Sequence, residues 1–324
     1  VYADIVQAIR RHRLFILTTH IAPDGDGLGC EIALHELLRA LGKEARIINN
    51  GPLPRQYAFM DPDGVVECYA PGAHDPAIRQ AEVIFVLDIS AWDRLGAMRE
   101  PLRAAGALKI CIDHHPYRDG VTDIAVVQET ASSAGELVYE LIVAVGASVT
   151  KRMADALYVA LMTDTGSFRF PNTTPKALRA AAALVEAGAS PSELARHVYE
   201  QYSWERMKLL GHELLTSHVT EDRRIAWIEI TRKDQERFEV LNHEVEGFLE
   251  AIRAIKEVEI AALFIENEER EIKVSLRSKG APDVHTVARK FGGGGHPKAA
   301  GCVVHASMPE VVAQVIGELR AIVN

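Results

Sequence analysis

The chain has little with which to cross a membrane, staple itself covalently or track a long nucleic acid. No apolar stretch approaches the roughly 20 residues that a helical bilayer span requires, so no membrane partner is expected. Val1 to Val6 shows no basic region leading into a long apolar one, so no secretory signal is expected and the expected location is the cytoplasm. Cys30, Cys68, Cys111 and Cys302 are the only cysteines, far apart and without a C-x-x-C pair. That argues against a structural zinc cluster or a disulfide framework and suits a reducing compartment. Basic side chains are also short, with a net charge of −9. Residues 1–215 hold 21 basic against 27 acidic side chains and residues 216–324 hold 15 against 18, so neither half is the basic surface that long duplex nucleic acid needs. An anionic ligand would be small and met by a few focused charges. The stretch Arg277 to Lys298 is a local exception, with five basic residues against Asp283 alone.

What remains is a soluble-type composition, 48% hydrophobic and 25% charged, over 324 residues, enough for two domains. The first half alternates apolar runs with helical patterns. Strands are predicted at 14–19, 46–48, 83–87 and 108–112, and helices at 28–41, 132–145 and 151–163. Such alternation predicts an α/β fold, a mostly parallel sheet flanked by helices. A helix-rich stretch follows, and past residue 216 come strands at 225–230, 260–265 and 272–276, the last two joined by a polar turn over 266–270, then a helix at 309–322. The expected organisation is a catalytic domain over 1–188, a helical linker over 189–215 and a smaller α+β domain over 216–324.

Asp113-His114-His115 follows an apolar strand, where three potential ligands crowded together are costly to desolvate without compensation. A divalent cation is the simplest compensation, and other strand and helix ends supply more donors. His20, Asp24 and Asp26 follow the first strand, in a predicted loop that Gly25, Gly27 and Gly29 allow to turn tightly. Asp88 ends the third strand, where open α/β sheets bind ligands, and Asp164 ends an apolar helix, where the macrodipole disfavours negative charge. Each has a bland reading alone: a helix cap, an arginine partner or an Asx-turn. Together they form an oxygen-rich set with imidazoles, suited to Mn2+, with Mg2+ or Co2+ as alternatives. Their number suits two ions about 3.5–4 Å apart sharing a carboxylate, an arrangement that hydrolyses phosphate esters.

The series His20-x-x-Pro23-Asp24-x-Asp26, Asp88, Asp113-His114-His115 and Asp164 resembles, in order and spacing, the four-motif signature of the DHH phosphoesterase family. The resemblance implies that His20, Asp24 and Asp88 hold one metal and that Asp26, Asp88, His114 and Asp164 hold the other. Asp113 would then orient its neighbours, and His115 would meet the scissile phosphate or leaving oxygen. Cys30 departs from the serine common in the family. The run Gly292-Gly293-Gly294-Gly295-His296, with Arg277 and Ser278 at a strand end, reads from its residues as an anion-binding loop or as a flexible one. It resembles the DHH-associated domain, which implies a nucleotide-binding role for Arg277, Ser278, Gly293, Gly294, Gly295 and His296. Arg169, close after Asp164, is a further candidate for substrate contact.

The resemblance implies hydrolysis of short 5′-phosphorylated oligoribonucleotides and linear dinucleotides such as pApA to mononucleotides, with conversion of 3′-phosphoadenosine 5′-phosphate (pAp) to AMP. A cyclic-dinucleotide phosphodiesterase and a non-catalytic nucleotide sensor are the alternatives, and the assembly is left open, a homodimer included. His35, His74, His197, His212, His218, His243 and His305 are read as structural or solvated, and Trp92, Trp204 and Trp227 as packing residues.

Overall fold

The protein is described here by a computed structural model covering residues 2–116, 122–245, 247–267 and 271–323. The polar turn expected over 266–270 and the side chain of His243 fall partly or wholly outside them. The chain divides into two compact units, Val1–Gln201 and Tyr202–Asn324.

In the first unit six strands, β1 (Leu14–Thr18), β2 (Glu44–Asn49), β3 (Val66–Cys68), β4 (Val83–Leu87), β5 (Leu108–Asp113) and β6 (Ile124–Val127), form one sheet in the order β3-β2-β1-β4-β5-β6. Every pairing is parallel. The helices are α1 (Ala3–Arg11), α2 (Gly25–Ala40), α3 (Asp75–Gln80), α4 (Arg99–Ala104), α5 (Ala134–Val145), α6 (Lys151–Asp164), α7 (Pro175–Glu186) and α8 (Pro191–Tyr199). Burial on both faces explains the unbroken apolar runs. Phe15, Leu17, Phe85 and Leu87 pack with α2, α5 and α6 on one face, while Ile16, Ile84 and Val86 pack with Ile78, Met98 and Leu102 on the other. The strand order reverses direction between β1 and β4. In open α/β sheets the crevice at that point, outside the carboxyl ends of the strands, is where ligands bind.

One local expectation is corrected. Gly25, Asp26 and Gly27 lie in the first turn of α2 rather than in a loop before it, joining Gly29 in the helix, and Asp24 is its N-cap, accepting from the Asp26 and Gly27 amides. These glycines serve close packing, not backbone freedom. A Cβ at Gly27 would stand 2.3 Å from Thr19 Oγ1, and one at Gly29 would stand 2.4 Å from the Ala156 carbonyl oxygen. Two side-chain-free positions thus bring α2 hard against the end of β1 and against α6.

The second unit has β7 (His218–Val219), β8 (Ile225–Ile230), β9 (Ile260–Glu266), β10 (Ile272–Ser278), β11 (Gly294–His296) and β12 (Ala299–Val304), ordered β11-β12-β10-β9-β8-β7. Only β8 and β9 run parallel among these pairings. Its helices are α9 (Trp204–Thr216), α10 (Arg232–Phe238), α11 (Phe248–Arg253), α12 (Val284–Lys290) and α13 (Met308–Ile322). One face of the sheet packs Phe264, Val274 and Leu276 with α12 and α13; the other packs Ile228 and Leu263 with Leu209, Phe248 and Ile252. The stretch 189–215 is shared between the units, α8 in the first and α9 opening the second.

Candidate metal centre

Four chain segments deliver carboxylates and imidazoles to the carboxyl ends of β1, β4 and β5. Thr19, just past β1, donates through Oγ1 to the Leu87 carbonyl at 2.8 Å, and His20 follows it. Asp88 sits one residue beyond β4 with φ of 58°, a left-handed conformation uncommon for a residue with a Cβ. Its amide donates to the Ile112 carbonyl at 2.9 Å, so the sheet ladder holds this residue in place. Strand β5 ends in Asp113, and His114 and His115 turn out from it.

The resulting distances centre on Asp88. One carboxylate oxygen, Oδ2, lies 3.5 Å from His20 Nε2. The other, Oδ1, lies 3.5 Å from His114 Nε2 and 3.5 Å from His115 Nδ1. His20 Nε2 is also 3.8 Å from Asp24, and His114 Nε2 is 3.6 Å from Asp26 and 3.5 Å from Asp164. Donor atoms thus gather as His20, Asp24, Asp88; as Asp26, His114, Asp164; and as Asp88, His114, His115. Asp88 Oδ1 and His114 Nε2 are buried and make no hydrogen bond. Buried donors spaced about 3.5 Å apart, too far for one another, suit a cation between them.

Two of the carboxylates, those of Asp26 and Asp113, are held from behind. The amides of Ala134 and Gly135, at the N-terminus of α5, donate to the two oxygens of Asp26 at 2.7 and 2.8 Å. That orients the carboxylate and places it at the positive end of the helix. Asp113 Oδ1 accepts from the His114 amide, the His115 amide and His115 Nδ1 at 2.7, 3.0 and 2.9 Å. Asn172 Nδ2 donates to the Asp164 and Ser132 carbonyls at 3.1 and 2.9 Å, pinning the loop that follows α6. Arg169, in that loop, is exposed and donates through Nε to the Gly166 carbonyl at 2.7 Å.

Crowding shifts the protonation of the cluster. Burial, then Asp88 and Asp164, hold Asp26 well above the usual carboxylate range. Burial also pushes Asp164 up to about 6, with Asp88 adding to it and His114 opposing. Burial opposes charge on Asp88 too, but the imidazoles of His114 and His20 outweigh it and hold Asp88 low. Burial likewise opposes charge on His114, and Asp88, Asp26 and Asp164 overcome it, pushing the imidazole up to about 10. The carboxylates favour nearby positive charge, which a divalent ion held by these residues would supply in place of the imidazole proton. The residues present therefore fit a divalent metal. A cavity of about 480 Å³ lies elsewhere, at the opposite ends of β1 and β2 beside His35 and Arg39, and takes no part in this arrangement.

In the second unit the glycine run is more ordered than a loop. Gly294 to His296 form β11, paired antiparallel to Ala299–Gly301, and a Cβ at Gly293 would stand 2.1 Å from the Gly301 carbonyl oxygen. The glycines let two backbones approach, while the strand itself stays exposed. Arg277 lies on β10 with Nη1 3.0 Å from the Leu276 carbonyl. Ser278 is 5% exposed, and its hydroxyl donates to the Pro282 carbonyl at 2.8 Å, so it builds the turn after β10. Trp204 departs from expectation: it is 71% exposed at the start of α9 rather than packed.

The N-terminal domain of the DHH family matches residues 14–161, and the DHHA1 domain matches residues 233–324. A Bacillus subtilis protein described as bifunctional oligoribonuclease and PAP phosphatase NrnA is 30% identical over 93% of this chain and 93% of its own length. The chain belongs to the DHH family. A Thermus thermophilus protein of the same description is 31% identical over 93% of this chain and 87% of its own. Among solved structures, an exopolyphosphatase-related protein from Bacteroides fragilis matches with a TM-score of 0.94 at 29% identity, covering 98% of this chain and 95% of that one.

Against the DHH pattern, Cys30 now has a place. It is fully buried, its Sγ lies 3.8 Å from Asp26 Oδ1, and burial with the nearby Asp26 and Asp88 charges holds its thiol well above the usual range. It packs behind Asp26, where a buried thiol held protonated is inert. Two supporting residues were not singled out from the sequence. Asn49, at the end of β2, accepts from the Thr19 amide at 3.1 Å and donates to Glu31 of α2 at 2.8 Å. Glu31 was detectable as an acid inside an apolar helix face, and Asn49 as a polar residue ending an apolar strand.

Proposed function

We propose that the first unit is a two-metal phosphohydrolase centre. It cleaves short 5′-phosphorylated oligoribonucleotides and linear dinucleotides such as pApA to mononucleotides, and converts pAp to AMP. The observation that carries this reading is the position of Asp88, whose two oxygens face His20 on one side and His114 and His115 on the other. A carboxylate so placed suits a bridge between two ions. The names of the Bacillus subtilis and Thermus thermophilus relatives support the substrate class.

His20, Asp24 and Asp88 would hold one ion, and Asp26, Asp88, His114 and Asp164 the other; Mn2+ suits this donor set best. Bound by these residues, such ions would supply Lewis acidity toward phosphoryl oxygens and lower the pKa of a coordinated water. The protein then has to position and shield. Asp113 fixes the His115 ring through Nδ1, so that the imidazole steadies the phosphoryl group and the departing oxygen. Ala134 and Gly135 amides keep Asp26 from rotating as charge develops. Arg169 is proposed to meet the substrate beside Asp164. In the DHHA1 unit, Arg277 and the Gly293–His296 segment are proposed to hold a further phosphate of the nucleotide, with Ser278 shaping the turn beside them. The separate cysteines fit a cytoplasmic setting.

The test is chromatographic product analysis with Mn2+ on pApA, a five-nucleotide RNA, pAp, cyclic di-AMP and pyrophosphate. The expected products are AMP from pApA and pAp and stepwise mononucleotides from RNA. Nucleotide binding without turnover of any of them would leave a sensor and reject the proposal.

A further inference from the structure

A second group of donors lies in the other unit, among residues that belong to none of the DHH motifs. His212 and Glu213 are on α9 and Asp234 is on α10, and one donor atom from each lies within 4.8 Å of the others. His212 Nε2 is 3.7 Å from Asp234 Oδ1. The decisive member is Glu213. It is 2% exposed, and its Oε1 is buried with no hydrogen-bond partner. A buried carboxylate without a donor is costly, and a second carboxylate beside it makes the cost greater. Asp234 and Glu229 are the charged neighbours acting on Glu213, and both have the same sign as its carboxylate.

The other two donors are oriented as ligands would be. Asp234 spends Oδ2 on the Thr231 amide and hydroxyl, closing the N-terminus of α10, which leaves Oδ1 toward His212. The His212 ring packs on Phe238 at 5.4 Å between centroids, which limits its rotation. Donors around a tetrahedral ion at about 2.0–2.2 Å stand roughly 3.3–3.6 Å apart, and the 3.7 Å between His212 Nε2 and Asp234 Oδ1 is close to that spacing.

We propose that His212, Glu213 and Asp234 form a site for a divalent transition cation, zinc by preference, with water completing the shell. One imidazole and two carboxylates, without thiolate, is a donor set zinc accepts readily. The ion neutralises Glu213 and ties α9 to α10, so its role is to stabilise the second unit. It is independent of the phosphoester chemistry.

The experiment uses the full chain with Asp88→Asn, which weakens the centre in the first unit, titrated with Zn2+ in a calorimeter and assayed for bound zinc by mass spectrometry. Adding Glu213→Gln should remove one zinc per chain. His212→Gln, a change at a half-exposed position that leaves the core intact, should weaken the same site at least tenfold. Zinc should also raise the unfolding midpoint of the second unit in the parent and not in either variant. Zinc stoichiometry unchanged by Glu213→Gln and His212→Gln would overturn the proposal. So would a Glu213→Gln chain more resistant to urea than its parent at pH 8 in zinc-saturated buffer, which would mark Glu213 as a protonated structural carboxyl.

Discussion

Glu31 gives the most quantitative prediction. It is wholly buried on α2, with Oε2 accepting from Asn49 Nδ2 at 2.8 Å and Oε1 without a partner. Burial pushes its carboxyl up to about 8, with the Asn49 hydrogen bond opposing. The folded state therefore keeps a proton that the unfolded chain releases near pH 4.5. Stability is fully present below that pH and is lost as pH rises through 8, at about 1.36 kcal/mol per pH unit between the two. Glu31→Gln keeps the acceptor toward Asn49 and cannot ionise. Urea unfolding of the first unit, measured with a chelator present so that metal-linked protons do not contribute, should give similar stabilities for the two proteins at pH 5. By pH 8 the variant should lead by about 3–4 kcal/mol, the wild-type loss integrated over that range. Parallel stability profiles from pH 5 to pH 8 would refute the reasoning, because they would mean Glu31 is ionised, or hydrated, in the fold.

Three further outcomes follow from the same geometry. Gly29→Ala places a Cβ against the Ala156 carbonyl and should cost about 1–3 kcal/mol in thermal or urea unfolding; an unchanged midpoint would mean α2 and α6 separate freely. Asp113→Asn retains the size but weakens the grip on His115, so kcat for pApA should fall about 10–100-fold with bound metal unchanged. Loss of metal from that variant would make Asp113 a ligand instead. Arg277→Ala should raise KM for pApA several-fold and leave hydrolysis of a simple aryl phosphodiester unchanged; equal effects on both substrates would place Arg277 elsewhere in the mechanism.

The sheet of the first unit was legible because its strands are buried on both faces and read as unbroken apolar runs, Val83–Leu87 most clearly. The short strands β3 and β6 were not, since three or four residues carry too little periodicity to separate from loop. The site donors stood out because polar residues directly after apolar strands are conspicuous. The start of α2 lies earlier than expected: Gly25 and Gly27 in sequence suggest a turn, and only tertiary contacts reveal that they thin the helix for close packing. His212 and Glu213 were opaque for a related reason. Their partner Asp234 lies 21 residues beyond Glu213, and nothing local announces that α9 and α10 meet.

The central claim is that Asp88 joins two metal ions in one centre. Electron paramagnetic resonance of the Mn2+-loaded protein addresses it directly. The account predicts the signature of an exchange-coupled manganese pair in the active wild type, replaced in Asp88→Asn by signals of isolated ions together with loss of pApA hydrolysis. An active wild-type protein that shows only isolated manganese at saturation would contradict it.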